Sequence, residues 1–372
     1  MPSKSTLASV IAGLFALHGV EAGFNSASKS NVAVYWGQNS YGQGTGDLAQ
    51  QRLSYYCENS DIDIIPMAFM TTVTDDTGHP QLNFANQGDH CSTFSGTQLL
   101  NCSELAADIP TCQSQYNKTI TLSIGGATYT EGGFSTADEA VAAANLVWAT
   151  FGPPTSNSSI LRPFGNASVD GFDFDFESTV SNMQPFAQQL RTLMDAQEAA
   201  DGAHRILTAA PQCPYPDAAD NSFLSGPNGD GVDAVAIDAV FVQFYNNYCG
   251  LQSYVANATD QWNFNFATWD AWAKDVAAKD DVKVFLGVPA SSTAAGSGYK
   301  SASDLAPIIE YVANFSSFGG VMMWDASQAY ANEGFLSAVK SELEQDAAQR
   351  PEETCSGYRT GEGARAARGY AA

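Results

Sequence analysis

One stretch restricts this chain more than any other. Residues Asp170 to Glu177 read DGFDFDFE, four carboxylates and three phenylalanines in eight positions. Strict alternation of ring and acid has the two-residue period of a β-strand. Phe172, Phe174 and Phe176 then share one face, and Asp173, Asp175 and Glu177 the other. Carboxylates are almost never fully buried unless paired. Such a strand lies at the edge of an antiparallel sheet with its acids in water, or forms a calcium loop, or aims its acids at a reaction site.

The calcium loop fails on spacing. It needs Gly at the sixth position and Glu at the twelfth, and counted from Asp173 these are Ser178 and Gln184. An edge strand needs a hairpin neighbour and a solvated face, whereas the flanking segments have helical patterns. A reaction site fits best.

The rest of the chain supplies the frame. Runs rich in Val, Ile and Phe recur at Val32–Trp36, Ile62–Phe69, Thr119–Ile124, Val169–Glu177, Ile206–Ala210, Ala239–Tyr245, Val282–Val288 and Val321–Trp324. Between them, Thr136-x-x-Glu139 and Ser181-x-x-Gln184 have the form of capping boxes that open helices. Residues 268–278, 303–314 and 333–349 also have helical patterns. Eight strands alternating with helices predict a single (β/α)8 barrel, with a doubly wound open sheet as the alternative. In a parallel barrel both faces of a strand are covered. The phenylalanines then pack beneath helices and the acids point inward, rising to Glu177 at the mouth, while Asp170 falls out of phase and serves the strand's base.

Alternate residues on a strand are roughly 6.6 Å apart. At an effective dielectric of 20, two unit charges at that distance repel by about 2.5 kcal/mol, close to two pKa units. At least one member of the ladder should therefore keep its proton near neutrality. A general acid needs that property, and Glu177 is placed to use it. Glycoside hydrolysis usually employs two carboxylates across the scissile bond. Asp217 and Asp325, both at strand ends, are the available opposing groups. The other solution is attack by the substrate's own 2-acetamido oxygen, for which an Asp175-x-Glu177 pair is well spaced.

Other strand ends are polar and aromatic too: Tyr35–Asn39, Ser123–Gly126, Ala209–Asp217, Gln243–Asn247, Gly287–Ala290 and Met322–Asp325. Trp36 and Trp324 close the first and eighth strands. Several rings at one rim favour a platform for sugars.

The first residues have the form of a secretory signal: Lys4, an apolar run from Leu7 to Leu17, and Val20-Glu21-Ala22 as a cleavage site. The mature chain is expected to begin near Gly23. The formal charge of −24 argues against nucleic acid and anionic membranes as partners, and no apolar run is long enough to span a bilayer. Seven cysteines without a C-x-x-C pair point to disulfides and one leftover thiol, with Cys355 the orphan. Six sequons (Asn101, Asn117, Asn157, Asn166, Asn257, Asn314) agree with an extracellular glycoprotein. After signal removal only His79, His90 and His204 are left, with no H-E-x-x-H, so no metal and no cofactor are expected. There is no G-x-S-x-G elbow, and GQGTG at Gly42–Gly46 lacks the spacing of a dinucleotide loop. Residues 350–372 lose apolar periodicity and are expected to form a disordered tail, leaving 23–349 as the catalytic domain and a monomer as the expected state.

D-x-x-D-x-D-x-E at Asp170–Glu177, with S-x-G-G at Ser123–Gly126, resembles the family-18 glycoside hydrolases. The match narrows to the class III, hevamine-like chitinases of plants and fungi through AVYWGQN, TAAPQCPYPD, VQFYNN, FLGVPA, AAGSGY and GGVMMWD in the same order. The resemblance covers about residues 30 to 345. It implies a secreted endochitinase that cleaves β-1,4-linked N-acetylglucosamine polymers with retention by the substrate-assisted route. By motif position it implies Glu177 as proton donor, Asp175 as the group that orients the acetamide, Asp173 as its tuner and Tyr245 as a donor to the acetamido oxygen. Trp324 would floor the subsite of the distorted sugar, and Tyr35, Gln38, Gly126, Gln243 and Asn246 would line the groove. It also implies the disulfides Cys57–Cys112, Cys91–Cys102 and Cys213–Cys249. The alternatives are an inactive glycan-binding protein on the same barrel, against which Glu177 argues, and an endo-N-acetylglucosaminidase acting on glycoproteins. The loops Ser40–Asp47 and Thr71–Gly88 depart from the compact plant pattern.

Overall fold

The computed structural model describes residues 23–157 and 159–349. The expected signal segment, the tail and Cys355 lie outside those residues.

Eight parallel strands follow one another round a closed barrel: β1 (Asn31–Val34), β2 (Ile64–Thr72), β3 (Thr119–Gly125), β4 (Gly171–Asp175), β5 (Ile206–Ala209), β6 (Ala239–Gln243), β7 (Lys283–Pro289) and β8 (Phe318–Trp324). Closure rests on β1, which pairs with β8 from Asn31 opposite Gly320 to Val34 opposite Met323, and meets β2 at Ala33 and Ile64. A doubly wound sheet has two free edges, and closure removes them. Helices α1 (Leu53–Cys57), α2 (Ser103–Gln115), α3 (Ala137–Phe151), α4 (Met183–Asp201), α5 (Asn221–Leu224), α6 (Phe266–Asp275), α7 (Ala302–Val312), α8 (Ala326–Ala331) and α9 (Phe335–Gln349) surround it. Among the described residues no helix is long and apolar enough to cross a membrane.

Alternation along the strands sorts the core into two layers. Val32, Val34, Phe172, Phe174, Leu207, Val240 and Val242 join the larger cluster that packs against the helices. Ala33, Tyr35, Ile64, Phe69, Phe241, Phe285 and Met322 fill the barrel. The phenylalanines of the acidic stretch, Phe176 included, are fully covered on the outer side. That leaves Asp173 and Asp175 facing the interior, the geometry that alternation demands.

Three local expectations need correction. The strand β4 stops at Asp175, so Glu177 sits two residues beyond it, on the following loop. Thr136 does form a capping box, with Glu139 N donating to its hydroxyl and Glu139 Oε2 accepting from Thr136 N. Ser181 does not cap α4. Its backbone pairs with the preceding connection, accepting from Phe134 N and donating to Gly132 O, and Asn182 in the left-handed region (φ 54°) starts the helix instead. Trp36, two residues beyond β1, lies on the outer side, fully buried against Phe84 and donating to Gln51 O. It is a packing residue and contributes nothing to a sugar platform.

Two short features carried no sequence signal: a strand at Gln81–Leu82 beside β2, and a hairpin of Ser92–Thr93 with Leu100–Asn101. The three disulfides have the implied pairing. Cys57–Cys112 joins α1 to α2, Cys91–Cys102 closes the hairpin, and Cys213–Cys249 ties the loop after β5 to the loop after β6.

Candidate active site

The ladder begins with Asp173, which has no exposure to solvent. One of its oxygens accepts from Tyr35 Oη at 2.7 Å and Ser123 Oγ at 2.6 Å, and the other accepts from Thr208 Oγ1 at 2.7 Å. Burial raises the pKa of this carboxyl, and the three hydroxyls oppose that shift. The S of the S-x-G-G motif is therefore a donor to the lowest inward acid. Tyr35 is itself buried, and burial together with the fields of Asp173 and Asp175 holds its hydroxyl well above the usual phenol range, as a neutral donor. It braces the ladder and does not reach the open groove.

Above it, Asp175 Oδ1 accepts from Gln243 Nε2 at 2.8 Å, and the same amide nitrogen donates to Ala210 O at 2.9 Å. Burial pushes Asp175 well above the ordinary carboxylate range, with Glu177 and Asp173 adding to the push. The strongest upward pressure in the ladder thus falls on Asp175, which is more enclosed than Glu177. Gly126 closes off this level. Its N–H donates to Asp175 O at 2.7 Å, and at φ +80° a Cβ there would lie 2.6 Å from the Phe69 ring. Any side chain would displace the ring on which Trp324 stacks.

Glu177 stands exposed at the mouth, and partial desolvation still raises its carboxyl above the ordinary glutamate value. A cavity of about 220 Å³ lies against it, between Ser178, Thr179, Gln212, Pro214 and Asp217. Tyr245 faces the two acids. Burial and the fields of Asp175 and Glu177 keep its phenol protonated, hence a donor. Trp324 stacks on Phe69 with ring centres 5.9 Å apart and an interplanar angle of 19°, and its other neighbour is Tyr35 at 5.6 Å. Part of that indole is left open to solvent.

Two expected groove residues also bond neighbouring backbone. Gln38 Nε2 donates to Ala68 O and Asn83 O, fastening the first connection to the second. Asn246 Oδ1 accepts from Gly296 N and Ser297 N, fastening the loop after β6 to the loop after β7. The opposing carboxylates are also spoken for. Asp217 accepts from the backbone N–H of Gln212, Ala219 and Asp220. Asp325 accepts from Ser40 N, Gln328 N and Ser327 Oγ. Both hold loops in shape.

One acid escaped the sequence reading. Asp220 is fully buried, and neither carboxyl oxygen meets a donor among the described residues. Burial, then Asp217, Asp175 and Asp173, push it well above the usual range. No strand periodicity marks it, because it lies in the loop after β5. A larger cavity of about 490 Å³ opens at the opposite end of the barrel, by Thr119, Asp170 and Ile206. That end of such barrels serves stability.

An inward carboxylate ladder rising to an exposed glutamate at the C-terminal mouth of a closed parallel barrel, over an aromatic floor, defines a glycoside-hydrolase barrel. The chain belongs to glycosyl hydrolase family 18, whose profile matches residues 31–304. It is 48% identical over 362 residues to a class III chitinase of Arthroderma benhamiae, covering 97% of this chain and 100% of that one. It is 45% identical over 344 residues to endochitinase 33 of Trichoderma harzianum, covering 92% and 100%. Among solved structures it resembles the xylanase and α-amylase inhibitor protein of Scadoxus multiflorus, with 30% identity and a TM-score of 0.63 over 84% of this chain and 98% of that one.

Proposed function

We propose that residues 23–349 form a secreted endochitinase that cleaves β-1,4-linked N-acetylglucosamine polymers with retention, using the substrate's 2-acetamido oxygen as nucleophile. In the first step Glu177 passes its proton to the glycosidic oxygen as the C1–O bond breaks, and the acetamido carbonyl oxygen bonds to C1 on the opposite face. Asp175 accepts the acetamido N–H and so stabilises the cyclic cation. Tyr245 donates its hydroxyl to the attacking oxygen and holds it in line. In the second step the Glu177 carboxylate takes a proton from water, whose oxygen bonds to C1 as the acetamide departs. Two inversions give net retention. Gln243 holds Asp175 from the side, Asp173 tunes it from below through its field, and Trp324 floors the distorted sugar.

The observation that carries this reading is the commitment of Asp217 and Asp325 to three N–H or hydroxyl donors each. With Asp217 and Asp325 committed to their loops and Asp220 sealed from solvent, the arrangement supports a nucleophile that comes with the substrate. Similarity to fungal chitinases supports the choice of polymer, and three disulfides suit the oxidising exterior of a cell.

The test is a product time course on fully N-acetylated and fully deacetylated oligomers. Cleavage is expected for the first alone, with the β-anomer as initial product. Comparable cleavage of the deacetylated chains would exclude the acetamido nucleophile. A second reading follows from the resemblance to an inhibitor protein: a barrel that binds another hydrolase without cleaving sugar. A protein that folds, retains Glu177 and leaves the acetylated oligomers intact would favour it.

A further inference from the structure

Among the described residues six large apolar side chains are well exposed, and three of them share one connection. Tyr248 is 65% exposed, Val255 58% and Trp262 92%, all between β6 and α6. An indole left almost wholly in water forgoes one of the largest contact areas a side chain can bury. Isolated exposed apolar residues need no explanation; a tryptophan held out by a braced loop does.

The loop is built to hold it. Gln261, next in sequence to Trp262, clasps Val255 from both sides, its Oε1 accepting from Val255 N at 2.9 Å and its Nε2 donating to Val255 O at 2.7 Å. Tyr254 packs on Phe264 and Tyr311 and donates its hydroxyl to Pro307 O at 3.2 Å. The base of the loop is the wall of the site itself: Tyr245 and Asn246 lead into it, Asn247 Nδ2 donates to Gln212 Oε1, and Cys249 is fixed to Cys213. Because the loop follows the C-terminal end of a barrel strand, it stands on the same rim as Glu177. A ring exposed there lies on the side of the barrel that carries the cleft.

We propose that Trp262, aided by Tyr248, is a docking platform for the polysaccharide substrate outside the cleft, on which neutral pyranose rings lie flat before or after the bond that is cut. A neutral occupant fits the net charge of −24, which repels acidic partners, and an aromatic face suits the apolar face of a sugar ring. The inference rests on the chitinase reading for its polymer.

The experiment uses the mature protein with N-glycans removed, since Asn257 carries a sequon in the same loop. Trp262→Ala, Trp262→Phe and Tyr248→Ala are compared with wild type on crystalline chitin and on the soluble N-acetylated tetramer. For Trp262→Ala the ratio of crystalline to tetramer activity is expected to fall about five- to tenfold, the worth of one good ring contact. Trp262→Phe should recover most of it, and Tyr248→Ala should lose less. Adsorption isotherms on crystalline chitin, taken in a Glu177→Gln background, should weaken in parallel. An unchanged ratio with unchanged adsorption overturns the platform while leaving the chitinase reading intact. A wild-type protein that adsorbs through Trp262 without cleaving either substrate overturns the chitinase reading and supports the platform.

Discussion

The two ends of the barrel use the same residue type for opposite purposes. At the lower end Asp63, Asp170 and Asp238 each stand immediately before a strand (β2, β4 and β6) and accept the N–H of the second residue in the strand before it: Val32, Ile120 and Leu207. Asp63 adds Lys340, and Asp238 adds Arg191 and Lys279. At the upper end Asp173, Asp175, Glu177 and Asp220 meet hydroxyls, an amide or no donor at all, and no cation faces them among the described residues. Lower acids stitch strands together as compensated charges. Upper acids stay under electrostatic pressure, which is what proton transfer uses. Asp170, with no cation in direct contact among the described residues, marks the transition: burial pushes it up to about 6.

That contrast can be broken from either side. The largest effect is expected at the top. Glu177→Gln keeps the shape of the side chain and removes its proton transfer, so kcat on N-acetylated oligomers should drop about 10³-fold. The thermal midpoint should hardly move, because the group is exposed. Calorimetry and initial rates on the same preparation check both halves.

Next comes the bottom. Asp238→Ala strips Leu207 N of its acceptor and leaves the buried Arg191 without its buried partner, a change worth about 3–5 kcal/mol of stability. The denaturant midpoint should fall accordingly, while kcat/KM per folded molecule stays within about twofold. An activity loss exceeding the loss of folded protein would contradict the division between the two ends.

The smallest effect sharpens the comparison. Burial raises the carboxyl of Asp220 in the folded state, so the folded protein resists ionising it while the unfolded chain ionises near pH 4. Relative to low pH, stability is lost as pH climbs from that value towards the folded pKa. Asp220→Asn removes the loss. The variant should melt a few degrees higher than wild type at pH 7, with the gain shrinking to nothing as pH approaches about 4. A constant gain at all pH values would mean a packing effect instead.

Much of the site was legible because the β-period is short and rigid. Alternation put Phe172, Phe174 and Phe176 on one face and Asp173 and Asp175 on the other, and the barrel frame turned the acids inward. The same rule applied to Trp36, whose neighbours Val32 and Val34 face outward, would have removed it from the rim; its residue type distracted from its phase. Loop residues were the blind spot. Nothing in one dimension announces that Asn246 and Gln38 spend their polar groups on neighbouring backbone, that Ser181 pairs with Gly132 and Phe134 instead of capping a helix, or that Asp220 is sealed beside the ladder. Those outcomes depend on which connection lies next to which.

From the order of residues alone come the eight strands, the handed alternation that turns acids inward, and the family to which the chain belongs, since each depends on local periodicity or motif spacing. Tertiary structure decided which carboxylates have donors. Barrel closure brings Tyr35, Ser123 and Thr208 from three distant parts of the chain onto Asp173, surrounds Asp217 and Asp325 with N–H groups, and leaves Asp220 no donor among the described residues. A carboxylate's pKa is set by what surrounds it in space, and groups far apart along the chain are what closure makes neighbours.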